Sequence, residues 1–325
     1  MRVHKLLLCV IVSIIILISY NSTLAAVDNF PKQNITVIIP ASPGGGCDFV
    51  AQAIQPYLEK YAGVSFINVY KPGASCSIGT TYYINNTKAD GYTIQSTVTP
   101  FMFSAPIMNP EEIKYNLFED LTPIFNVMTD PGVLAVNADS PFKTFDDFLN
   151  YAKENPNKVT VGNSGIGGDD WVSTLFLEEK AGIELIEVPF PGDGPSWQAA
   201  LGGHISATAN NLGILYSQLV DGSLRALAIF SEERSELIPD VPTLKEYGID
   251  LVNGSFRGYS VHKDMPEEIK DYYVDIFTKA VNDPDFIEHA AKIGMNVDAL
   301  PREEYINVLK KLEEDFRYIY KKLQD

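Results

Sequence analysis

Pro40-Ala41-Ser42-Pro43-Gly44-Gly45-Gly46-Cys47-Asp48 joins the apolar run Ile35–Ile39 to a stretch, 48–61, whose apolar residues recur at helical spacing. A short apolar run, a glycine-rich loop and a helix make one β-loop-α unit, and the chain repeats it. Phe66–Tyr70 is followed by Lys71-Pro72-Gly73-Ala74-Ser75-Cys76-Ser77-Ile78-Gly79 and a helix to about residue 85. Asp90-Gly91 then turns the chain into a strand over 92–98. Farther on, helix 141–155, strand 158–162, helix 170–180, strand 184–189, helix 195–201 and strands 205–210 and 224–230 continue the alternation, with Gly162-Asn163-Ser164-Gly165-Ile166-Gly167-Gly168-Asp169-Asp170 as a third glycine-rich loop. This order predicts an α/β fold of open sheets flanked by helices.

The loops suggest the chemistry. Each leaves a strand and enters a helix, so exposed amides and the partial positive charge of a helix start can hold a carboxylate or phosphate. In open sheets such loops converge on one crevice. The first is not a dinucleotide fingerprint, because Phe49 stands where a third glycine is needed, and it lacks the Gly-Lys-Ser/Thr ending of a P-loop.

The N-terminus sets the compartment. Arg2, His4 and Lys5 precede an apolar run over 6–18, then a polar stretch and Leu24-Ala25-Ala26. This reads as a signal peptide over 1–26, cut near Ala25 or Ala26, and the run falls short of the roughly 20 residues that span a bilayer. Cys9 lies too early to accept a lipid. A soluble periplasmic protein of about 300 residues is expected, long enough for two lobes. Losing Arg2 and Lys5 takes the net charge from −17 to −19, which argues against nucleic acid or anionic membrane as a partner.

Beyond the leader the histidines are His204, His262 and His289, none in a glycine-rich loop. No H-x-x-x-H or C-x-x-C spacing offers a metal site, and no cofactor is implied. Catalysis would rest on Cys47 at a helix start with Asp48, Asp169 or Asp170, and the expectation is that the chain is not an enzyme. The C-terminal quarter reads as helices: one capped by Asp264, one opened at Asn282-Asp283-Pro284, and one from Pro301 whose Tyr305, Val308, Leu309, Leu312, Phe316, Ile319, Tyr320 and Leu323 form a packing face.

Taken in order, Ser42-Pro43-Gly44-Gly45-Gly46-Cys47-Asp48, Lys71-Pro72-Gly73-Ala74, Asp90-Gly91-Tyr92-Thr93, the loop 162–168, Val188-Pro189-Phe190 with Gly192, Leu201-Gly202-Gly203, Leu224-Arg225-Ala226-Leu227-Ala228 and Pro239-Asp240-Val241-Pro242-Thr243 resemble the periplasmic receptors of tripartite tricarboxylate transporters, the Bug receptors. The resemblance implies a two-lobed periplasmic-binding-protein fold that closes on its ligand like a flytrap. It also implies capture of a small carboxylate-bearing metabolite for delivery to membrane permease subunits, by a monomer. A ligand-sensing subunit of a signalling system would need the same pocket.

Carried over, the first-lobe site would be Pro43, Gly44, Gly45 and Asp48, with Gly73, Ala74 and Ser75 opposite and Thr97 and Thr99 as a wall. The second lobe would add Ser164, Gly165, Ile166, Gly167, Asp169, Phe190, Gly192 and the pair Asn210-Asn211. The lobes would comprise residues 27–128 with 255–325, and 129–254, hinged near 125–130 and 253–261, where Arg257 is either a ligand contact or a salt bridge. The sequence departs from the family at Asn210-Asn211, Cys47, Cys76 and Asp169-Asp170-Trp171. Cys47 and Cys76, the two cysteines left after leader removal, are expected to pair as a disulfide in an oxidising compartment, the alternative being two buried thiols. Two aspartates at a helix start would repel a second carboxylate. The ligand end facing them is therefore expected to be neutral or cationic, as in an amino acid or nitrogen-containing carboxylate, unless Asp169 merely caps the helix and Asp170 points to solvent.

Overall fold

The computed structural model describes residues 30–324, so the signal peptide read over 1–26 lies outside the described residues. β1 (Ile35–Ile39) runs through the first glycine-rich loop into α1 (Gly46–Ala62), and β2 (Phe66–Tyr70) runs through the second into α2 (Ser77–Asn86). β3 (Thr93–Thr99), α3 (Phe101–Met108) and the short α4 (Leu117–Asp120) precede β4 (Leu121–Asn137), a single strand of 17 residues. Then come α5 (Phe145–Glu154), β5 (Thr160–Asn163), α6 (Asp169–Ala181), β6 (Ile186–Pro189), α7 (Asp193–Leu201), β7 (Ala207–Asn211), α8 (Leu212–Val220) and β8 (Leu224–Ile229). β9 (Gly254–His262), α9 (Glu267–Val281), α10 (Pro284–Lys292), β10 (Val297–Pro301) and α11 (Arg302–Gln324) finish the chain.

These strands form two lobes that share β4. The first sheet runs β2-β1-β3-β9-β4 with β10 also on β4, and the second runs β4-β7-β5-β6 with β8 on β4. Residues 121–131 of β4 pair antiparallel with β9, and residues 132–137 pair with β7 and β8. The strands that end in glycine-rich loops are parallel, β1 with β2 and β5 with β6, so their carboxyl ends face the space between the lobes.

The stretches read as crossings are thus strands, paired from Leu121↔His262 to Pro131↔Gly254. β9 lies so close to β4 that a Cβ on Gly258 would meet the Phe125 carbonyl at 2.2 Å, and one on Gly254 the Asp130 carbonyl at 2.4 Å. At this crossing Arg257, 4 % exposed, donates to Asp130, 1 % exposed, at 2.6 Å. Asp130 also accepts from the Gly213 amide at 2.8 Å, and the second guanidinium nitrogen donates to Asn211 at 3.1 Å. Of the two roles open to Arg257, a buried ion pair is the one the packing builds.

Each lobe has its own apolar core. Val37, Ile39, Ile54, Phe125 and Phe277 fill one face of the first sheet, and Ile38, Tyr83, Phe103, Tyr305 and Phe316 the other; Phe145, Phe148, Val161 and Phe230 anchor the second lobe. Burying each such side chain stabilises by roughly 1.5–3 kcal/mol. The face of α11 packs as expected through Tyr305, Leu309, Phe316 and Ile319, while Leu323 stays exposed beyond the end of the stripe. Asp264 does not cap α9, whose preceding residue is Pro266; Thr144 caps α5 in a capping box with Asp147.

The expected disulfide is not formed: Cys47 and Cys76 are free and buried. The reason is topological. α1 and α2 flank opposite faces of the sheet, so Cys47 packs with Val37 and Ile39 while Cys76 packs with Ile38 and Tyr83. Burial pushes both thiols up, Cys76 beyond the range in which a thiolate forms in ordinary buffers. Aromatic-disulfide thiol reagent should therefore find no reactive cysteine in the native mature protein and two after unfolding without reductant; no thiol after unfolding would restore the disulfide. Arg257→Met should destabilise the fold by about 3–5 kcal/mol in urea titration, because it strands the buried Asp130 carboxylate. Adding Asp130→Asn should recover much of that loss, and a single variant as stable as wild type would show the pair to be dispensable.

Candidate functional site

Two loops of the first lobe meet because of one small residue. A Cβ on Gly79 would lie 2.6 Å from the Lys71 carbonyl and 2.7 Å from Pro40, so the start of α2 can rest directly on the loop after β1 only with glycine there. In the second loop Gly73, Ala74, Ser75 and Cys76 all have positive φ, at 126°, 47°, 49° and 70°. Three consecutive non-glycine residues in the left-handed region cost on the order of 1–3 kcal/mol each, a kind of strain that clusters at ligand sites. Such a backbone points successive amides toward one side, as an anion nest does.

The first loop faces it with the start of α1. Neither α1 nor α2 has a side-chain cap, so their first-turn amides carry no side-chain partner. Gly44 is left-handed at φ 79°, and its amide donates to Asp48 at 2.7 Å. Asp48 also accepts from Gln52 at 2.9 Å and Tyr70 at 2.5 Å. Burial opposes its charge, but these three donors outweigh burial and hold the carboxyl below its ordinary range. Asp48 is a brace that shapes the loop, with Pro43, Gly44 and Gly45 exposed or half-buried above it. Thr97 and Thr99 are fully buried; Thr97 shares a hydrogen bond with Ser260 at 2.6 Å, and Thr99 donates to the Phe256 carbonyl at 3.4 Å.

The third loop closes the space from the second lobe. Ser104 of α3 donates to the Gly167 carbonyl at 2.7 Å, so this loop touches the first lobe directly. Ser164 and Gly165 are half-buried, and Ile166 is 51 % exposed. Phe190 lies under Gly162, and Gly192 precedes α7 with φ 111° and open space beside it.

Behind the loop sits a buried polar network. Asn211 donates to Asp169 at 2.6 Å and to the Asp130 carbonyl at 2.9 Å. Asn210 donates to Asp170 at 2.8 Å and to Asp193 at 3.0 Å. Asp169 and Asp170 are the first two residues of α6 after Gly168, and both are buried, so neither caps the helix and Asp170 does not reach solvent. Burial pushes Asp169 up to about 7 against the pull of Asn211 and Arg257. Burial, then Asp169 and Asp193, raise Asp170 well above the carboxylate range. For Arg257 burial works against the charge, yet Asp130 and Asp169 outweigh it and hold the proton more firmly than usual.

The structure thus brings the three loops and the Asn210-Asn211 pair to one place. The sequence reading missed Asp130, Asp170's tie to Asn210, and Asp193. Asp130 had a signal, since a carboxylate inside an otherwise apolar strand needs a buried partner. So had Asp193, which follows Gly192 in a loop already singled out. The second-lobe groups supply hydrogen-bond acceptors, the first-lobe loops offer donors from the backbone, and Arg257 of β9 is the cation between them. That arrangement suits the binding and orienting of a solute.

Comparison with known proteins gives the same answer. Residues 50–323 match the family described as tripartite tricarboxylate transporter family receptor. A Cupriavidus necator protein named for the gbd 5' region is 32% identical over 282 residues, covering 86% of this chain and 84% of that one. A TctC solute binding protein from Polaromonas superposes with a TM-score of 0.76 at 31% identity, over 90% of this chain and 99% of that chain. MatC from Rhodopseudomonas palustris, solved with bound malate, shares the fold with a TM-score of 0.76 at 23% identity, over 89% and 99% of the two chains. The chain belongs to the tripartite tricarboxylate transporter receptor family, whose members are solute-binding proteins and not enzymes.

Proposed function

We propose that this protein works in the periplasm as the receptor that captures a small carboxylate-bearing metabolite and hands it to the permease subunits of a tripartite tricarboxylate-type transporter. The observation that carries the reading is the left-handed run Gly73–Cys76 set against the uncapped start of α1. Together they form a donor-lined seat, with the Arg257 guanidinium packed directly against Gly46 at the start of α1, the type of seat that fits a carboxylate. MatC, of the same fold, holds malate.

In this reading residues 27–128 with 255–325 form the lobe that takes the carboxylate, through Pro43, Gly44, Gly45, Gly73, Ala74 and Ser75. Residues 129–254 form the lobe that closes over it, with Ser164, Gly165, Ile166, Gly167, Phe190 and Gly192 nearest the ligand. Asp48, Thr97, Thr99, Asn210 and Asn211 shape the walls from behind. The distal end of the ligand is neutral or cationic, because the second lobe meets it with Asp169, Asp170 and Asp193 against one arginine already committed to Asp130. A second free carboxylate there would face like charge in a closed cleft.

A thermal-shift panel of dicarboxylates, tricarboxylates, amino acids and aromatic acids tests the reading. At a thousandfold excess over Kd a true ligand adds about 4 kcal/mol of stability, so at least one carboxylate should raise the melting temperature by several degrees. Hits confined to compounds without a carboxylate would contradict the assignment.

A further inference from the structure

Asp170 and Asp193, used above only as carboxyls that face the distal end of the ligand, are tied to each other through one amide. One Asn210 amide nitrogen donates to both, at 2.8 Å to Asp170 and 3.0 Å to Asp193, which holds the two carboxyls on a common donor. Asp170 spends Oδ2 on the Ser164 amide at 3.2 Å and on Asn210, while its Oδ1, fully buried, has no donor at all. A buried carboxylate oxygen without a donor carries an uncompensated desolvation penalty, which protonation relieves. The charged groups around the pair are Asp169 on the helix of Asp170, Asp130 on β4 and Arg257 on β9. Arg257 is bonded to Asp130 and Asn211, and among the described residues no side-chain cation is hydrogen-bonded to Asp170, whose donors are the Ser164 amide and Asn210. Among the described residues no acidic or histidine cluster is arranged to hold a metal ion.

The two acids differ in access. Asp170 is 1 % exposed, whereas Asp193 is half-buried between Gly192 and Gly194, both of which have open space where a Cβ would stand. The pair therefore has a closed side and an open side, and the open side adjoins the loop 164–167.

We propose that in the unliganded receptor Asp170 and Asp193 share one proton, and that the protonated amine of an amine-bearing carboxylate takes the proton's place when it binds. The proton leaves to solvent, the ammonium donates to both carboxylates, and charge is conserved: one cation enters as one proton departs. This rests on the receptor reading above and narrows its ligand to carboxylates that carry a basic nitrogen. The amino group is recognised by Asp193 from the open side and Asp170 from behind, with the Asn210 amide holding the two in place.

The test pairs binding with proton counting. ω-Amino acids of three to six carbons and α-amino acids are compared with succinate, glutarate and adipate by calorimetry at pH 6, in two buffers of different ionisation enthalpy. An amine-bearing probe should bind at least tenfold more tightly than the dicarboxylate of equal length and release close to one proton. Asp170→Asn should abolish the release and weaken amine binding at least tenfold. Asp193→Asn, altered on the open side, should do the same and decides the matter if the buried substitution prevents folding. Amine binding without proton release, unchanged in either variant, overturns the inference. Tight dicarboxylate binding with no amine-bearing hit also overturns it while leaving the receptor reading intact. Failure of every carboxylate to bind overturns both.

Discussion

The ion pair between Arg257 and Asp130 is the constraint on which the rest of the molecule depends. β4 and β9 run through both lobes or between them, and the pair sits where they cross, out of water. Buried charges persist only when geometry is good and the remaining donors and acceptors are used. Asp130 meets that demand through the Gly213 amide; Arg257 meets it in part, donating its second terminal nitrogen to Asn211 while its buried Nε has no partner. Because Asn211 in turn holds Asp169, the crossing fixes the start of α6, and with it the third glycine-rich loop. The position of the second-lobe wall is therefore set by a strand that belongs mainly to the first.

In the proposed function, the surface charge accounts for a carboxylate seat built largely from backbone amides. A chain with a formal net charge of −17 repels anions at long range. Capture must then rely on short-range donors, which strained residues 74–76 and the uncapped helix starts supply. The second lobe uses the opposite chemistry. Its carboxyls lie deep and accept from Asn210 and Asn211, and in the proposed function they select the end of the ligand that the first lobe does not grip. The brace on Gly44 by Asp48 and the contact of Gly79 with Pro40 keep the first seat in shape before ligand arrives.

Much of this was legible from residue order alone. Strand-to-helix alternation gave the sheets, because a four-to-five-residue apolar run before a glycine loop has few other homes, and the ordered motifs gave the family. Hidden features were those that depend on what lies opposite. The stretch near 125–130 reads only as a hinge crossing, yet tertiary pairing on both sides makes residues 121–137 one strand. Cys47 and Cys76 look like partners by loop position, but sequence does not reveal that their helices take opposite faces of the sheet. Asp170 looked like a solvated residue of a helix start; only the arrival of Asn210 from β7 makes it a buried one.

A crystal structure of the protein with the ligand selected by its thermal shift tests the central claim most directly. The account predicts ligand carboxylate oxygens at about 3 Å from the backbone amides at the start of α1 and within residues 73–77, a hydrogen-bond distance, with the second-lobe loop 164–167 folded over the other end. A carboxylate bound instead by side chains of the second lobe, or a ligand lying outside the space between the lobes, would contradict it.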